Sequence, residues 1–132
     1  MATERSRLVR NNETVWDQAD FFMPGGYTRV TGLTTTSVGC VLFFNNVAMP
    51  WALVSGTGVS DGQVAAGRVY WNEIPGSPGY YNVRFRPNAV GYWRLLLSYP
   101  DGTQTVAHDF DVASVPTNSD QGLATSFIKP GS

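Results

Sequence analysis

The chain has 132 residues, a formal net charge of −1, and 14% charged residues beside 13% aromatic ones. That length supports one hydrophobic core and not two. Scattered arginines near charge balance argue against a nucleic-acid partner, and a chain lacking the roughly 18-residue apolar run of a membrane helix is not expected to span a bilayer.

In chain order, residues 1–26 are polar and aperiodic, with one short helical turn expected in "NETVWDQADFF". They read as an N-terminal arm. No apolar run follows the first arginines, so no signal peptide is expected and the product is expected to be made in a host cytoplasm. From Tyr27 the texture turns β-branched and aromatic. "SVGCVLFF" is too short for a helix and is bounded by Gly and Asn-Asn, which predicts a buried strand. "AMPWALVSGTGVSDGQVAAG" is broken by Pro and Gly; "RVYWNEI" alternates as a strand before the turn "PGSPG".

The stretch 80–112 is the most regular. Tyr81, Val83 and Phe85 alternate with Asn82, Arg84 and Arg86, which places the two arginines on an outer face. Pro87 ends that strand and Gly91 supplies a turn. Trp93, Leu95, Leu97 and Tyr99 then share a face, "PDGT" turns, and "VAHDFDV" returns with Phe110 and Val112 in phase. Three consecutive antiparallel strands are expected. Residues 114–132 are polar again, with Leu123, Phe127 and Ile128 as anchors, and read as a C-terminal arm.

Tyr81-x-Val83-x-Phe85-x-Pro87, then Gly91, Trp93 and Leu95, and finally Phe110-x-Val112, resemble the closing strands of the immunoglobulin-like repeats of filamins. The resemblance covers about a quarter of the chain. It implies that these aromatic and aliphatic residues point into a two-sheet sandwich and that the Pro-to-Gly segment links two late strands. The expected fold is all-β: a single Ig-like sandwich of about seven antiparallel strands over residues 27–113, with a jelly roll as the rival architecture.

Little in the sequence converges on chemistry. His108 is flanked by Asp109 and Asp111, but in an extended strand Asp109 points to the opposite face and is badly placed to orient the imidazole. No catalytic residue, metal or cofactor is expected; Asp101, Asp109 and Asp111 are the one carboxylate set from which a Ca²⁺ site could be drawn. Cys40, the single cysteine, reads as a core thiol. The glycine-rich stretches read as turns, because none follows a strand and opens a helix. Trp51, Trp71 and Tyr80 are candidate surface aromatics for stacking on a sugar, with core burial the more favoured reading for Trp71 and Tyr80.

The arms carry the functional expectation. Polar termini bury too little apolar surface to offset the entropy of ordering, so Val15, Trp16, Phe21, Phe22, Phe127 and Ile128 are expected to be buried by partner subunits, helped by strand addition at sheet edges. Eight arginines and one lysine fit an interface-rich protein. In size, charge and architecture the chain resembles bacteriophage capsid decoration (cement) proteins. That resemblance implies a non-enzymatic virion protein, homo-oligomeric in an assembly, which latches the major capsid protein or other virion subunits. A tail or head-to-tail component and a carbohydrate-binding Ig-like module are the alternatives.

Overall fold

The computed structural model describes residues 6–100 and 104–114. Nine strands run through them: β1 (Arg7–Arg10), β2 (Val15–Ala19), β3 (Gly39–Phe44), β4 (Val47–Met49), β5 (Ala52–Ser55), β6 (Arg68–Glu73), β7 (Tyr81–Phe85), β8 (Gly91–Tyr99) and β9 (Gln104–Ala113). They form two sheets, ordered β1-β9-β8-β3-β4 and β2-β7-β6-β5, packed as a β-sandwich. Among the described residues the only helix is a 3-10 turn at Asp61–Gln63.

The core follows from alternation. Trp93, Leu95 and Leu97 on β8, Tyr81, Val83 and Phe85 on β7, and Phe110 and Val112 on β9 all point between the sheets and are buried. Trp93 lies 4.9 Å from Phe44, 5.3 Å from Trp51 and 5.9 Å from Phe85, ring centre to ring centre, so both sheets and the β4–β5 link meet on one indole. Trp71 stacks on Tyr81 at 4.6 Å. Their polar atoms are satisfied by the chain that precedes β3: the Trp71 indole N–H donates to Leu33 O, and the Tyr81 hydroxyl donates to Val30 O. This pairing lets two amphipathic rings sit in the core without stranding a donor.

Several expectations are corrected. The stretch 1–26 is not an arm over its described part, because β1 and β2 are edge strands of the two sheets and the sandwich begins at Arg7. "NETVWDQADFF" holds strand β2 rather than a helical turn. Val15 and Phe21 are 2% and 0% exposed, in this chain's own core. Strands β7, β8 and β9 are not three neighbours: β8 pairs with β9, while β7 lies in the other sheet, paired with β2 and β6. Nor is pairing uniformly antiparallel, since β1 runs parallel to β9 and β5 parallel to β6. The crossing after Pro87 passes Gly91, where a Cβ would lie 2.7 Å from the Phe44 ring. Strand β3 is half exposed, with Val41 open to solvent, and not fully buried.

Phe21 distinguishes a folded N-terminus from an arm in solution. Phe21→Ala should cost about 3–5 kcal/mol in denaturant unfolding, whereas an unanchored arm residue would leave the midpoint where it was.

Candidate binding cleft

Residues 21–30 fold back as a hairpin-like loop: Phe22 bridges to Arg29, Met23 N donates to Thr28 O and Val30 N donates to Phe21 O. Phe21 plugs the core, and the tip "PGGY" projects. A side chain from the other sheet holds this loop. The Gln104 carboxamide accepts from Phe22 N at 2.9 Å and donates to Phe22 O at 2.6 Å, imitating a strand partner. Between loop and sheet lies a cleft of about 540 Å³ lined by Phe22, Met23, Pro24, Val30, Tyr99 and Pro100, with Gln104 as its main polar group. Met23 in this lining is half exposed, and Tyr27, just past the lining residue Gly26, is 94% exposed. Such a pocket can seat an apolar side chain and gives little purchase on a charged one.

The expected site residues scatter. Phe22 lines the cleft, with the Arg29 guanidinium 5.2 Å from its ring centre. Trp16 stands half exposed on the outer face of β2, away from Val15 and Phe21, which are buried. Trp51 and Trp71 are core residues, 8% and 2% exposed, and so are no stacking platform. Tyr80 is partly exposed, with Arg29 4.2 Å over its ring. Phe127, Ile128 and Asp101 lie outside the described residues. Sequence reading missed Met23, Tyr99 and Gln104 as cleft residues; the available signal was an apolar run, "FFMPGGY", ending in a Pro-Gly-Gly turn where apolar residues have no local core.

His108 has a partner that sequence proximity did not offer. Asp109 does face away, accepting from the Tyr92 hydroxyl at 2.9 Å and pairing with Arg94 at 3.1 Å. From the opposite sheet, however, Asp17 Oδ2 comes within 3.0 Å of His108 Nδ1. The other ring nitrogen, Nε2, is buried without a hydrogen-bond partner among the described residues. The pair therefore ties two sheets together across their open side. Burial works to raise the Asp17 pKa, but the hydrogen bond from His108, the Gln18 N–H and the charges of His108 and Arg7 outweigh it and hold the carboxyl below its ordinary value. Burial pushes the Cys40 thiol up to about 12, which keeps it protonated and unreactive. No group of three or more metal-binding side chains occurs among the described residues.

No protein-family model matches this chain, and no curated protein matches it either.

Two measurements probe these contacts. Gln104→Ala removes both bonds to Phe22 and should cost about 1–2 kcal/mol while raising hydrogen exchange at Phe22. Because the folded pKa of Asp17 is depressed, its contribution is present above the ordinary carboxylate pKa and lost as pH falls through the folded value. Stability should thus drop on acidification below about pH 4, and Asp17→Asn should flatten that part of the curve and lower stability at pH 7.

Proposed function

We propose that this protein is a non-enzymatic structural protein of a virion, of the capsid decoration type, built on an immunoglobulin-type sandwich. The strand order supports the fold reading. Variable-type immunoglobulin domains keep strands B, E and D in one sheet and G, F, C and C′ in the other; β2-β7-β6 and β9-β8-β3-β4 follow that order. Parallel β5 departs from it, and with one cysteine there is no inter-sheet cystine. That order favours the immunoglobulin-type reading over a jelly roll.

The observation that carries the functional reading is the apolar cleft with Met23 left half exposed in its lining. Its occupant is the Leu123–Ile128 segment of a neighbouring copy. Strand β9 starts at Gln104 beside the cleft and ends at Ala113, and the last described residue, Ser114, lies just past its other end. From there to Phe127 an extended chain reaches roughly 40 Å, against roughly 33 Å for β9 itself. That suits a head-to-tail latch, and repeated copies on a shell convert each weak latch into avidity.

The test is self-association of the full chain by sedimentation over a wide concentration range, together with saturable binding to purified virion shells that lack the protein. Association should weaken about tenfold, one good apolar anchor's worth, in Met23→Asp and in a chain ending at residue 114, with the thermal midpoint of each unchanged. A monomer at all concentrations that also leaves shells bare would refute the reading.

A further inference from the structure

The outer face of the β2-β7-β6 layer is divided in two by a loop. Residues 56–66 lie across its upper rows, where Arg84 Nη1 pairs with Asp61 at 3.0 Å and Nη2 donates to Gly56 O at 3.0 Å. Arg86 Nε donates to Val64 O, and the Thr14 hydroxyl donates to Asp61 O. Under this cover the Arg84 side chain is only 6% exposed. The next row is bare. Register places Gln18 opposite Asn82 and Asn82 opposite Asn72, a ladder of three carboxamides on three adjacent strands spanning about 10 Å.

Two of these amides are not used by the fold. Gln18 and Asn82 make no side-chain hydrogen bond among the described residues. Asn72 donates one 3.2 Å bond to Glu73 O, while its Oδ1 is buried without a partner, as is Arg84 Nε. Buried polar atoms without partners are uncommon and call for a reason. Asn72, Asn82 and Arg84 form part of the floor of a notch of about 270 Å³ walled by the loop from Gly56 to Val59. A Cβ on Gly56 would sit 3.0 Å from both Asn72 Oδ1 and Arg84 Nη2, so a larger residue in this wall would require those side chains to shift slightly.

An indole borders the ladder. Trp16, the register partner of Arg84 and two residues before Gln18, is 52% exposed, whereas Trp51, Trp71 and Trp93 are buried. Of the charges nearby, Arg84 pairs with Asp61 and Arg29 with Asp20, Arg7 and Arg86 donate to backbone carbonyls, and the Glu73 carboxylate, which lines the notch, accepts from Gly32 N and Gly79 N. The surface therefore offers paired donors and acceptors, one apolar ring face and charged groups already hydrogen-bonded within the fold. An anion finds no net attraction there, and an apolar chain would leave the amides unsatisfied. Vicinal hydroxyls are themselves paired donors and acceptors, and the C–H face of a sugar ring matches an indole.

We propose that this face binds a neutral oligosaccharide, with one ring against Trp16 and hydroxyls of the next bonded to the carboxamides of Gln18 and Asn82, next to Asn72. This is a second activity, separate from the cleft and independent of the virion reading. The full chain is titrated with neutral gluco-, manno-, galacto- and N-acetylglucosamine oligosaccharides, read by tryptophan emission and by the side-chain amide signals of the three residues. A binding sugar should shift the emission of exposed Trp16 and all three amide signals. Trp16→Ala and Asn82→Ala should each weaken binding about tenfold with unchanged thermal midpoints; Met23→Asp, in the cleft, should bind like the wild type. The proposal fails if no sugar in the panel moves these signals, if Trp16→Ala binds as well as the wild type, or if Met23→Asp abolishes binding, which would place the sugar in the cleft.

Discussion

Trp93 is where the two layers of this protein are made into one body. It is fully buried on β8, its ring touches Phe44 on its own sheet, Phe85 on the opposite sheet and Trp51 on the link into β5, and its N–H donates to Ala89 O at 3.0 Å. That last bond fixes the segment by which the chain crosses from β7 to β8. Sheet order, the crossing and the spacing between layers therefore share one residue. The loop carrying the cleft is anchored on the same scaffold, through Phe21 in the core and through Gln104 at the start of β9.

Legibility in the sequence tracked the alternation of apolar residues. β8 was readable because its inward set, Trp93, Leu95 and Leu97, is wholly apolar. β2 was not, because alternation along it is inverted at two adjacent residues. Its inward set is Val15, Asp17 and Ala19, and its outward set includes Trp16. A polar residue faces in because His108 waits across the gap, and an indole faces out. A reader weighing side chains one by one sees no strand there. β1 was hidden for a different reason: its order comes from a parallel backbone ladder with β9, a contact about a hundred residues away in the chain that no local pattern encodes.

The same logic explains Arg84. Alternation correctly sent it to the outer face, and composition correctly made "SGTGVSDG" a turn-rich loop. What neither could convey is that the loop would fold over the arginine and supply Asp61 and Gly56 O as partners. A cation placed outside a sheet thus became a buried side chain, the one charged residue in that class among the described residues. The candidate sites share this origin. Phe22, Met23 and Tyr99 meet across the cleft, and Gln18, Asn82 and Asn72 line up across three strands, only after long-range pairing is set.

The edges of the sheets limit how such a body can associate. β1, β4 and β5 are edge strands of four, three and four residues. β2, the longest edge, has its Trp16 carbonyl taken by the Arg7 guanidinium and a charged residue turned inward. Short strands, charge and capped carbonyls are the means by which β-proteins discourage another chain from adding to the sheet. Strand addition is thus the weaker route to a partner, and the backbone offers few continuous rows of free donors and acceptors to support it. Side-chain surfaces that the sandwich leaves unfilled are better suited to contact with another molecule. The cleft at one end presents apolar atoms and the notch on the outer face presents amides, so the two select chemically different occupants. They are built on different loops and share no lining residue. Changes in one should therefore combine additively with changes in the other.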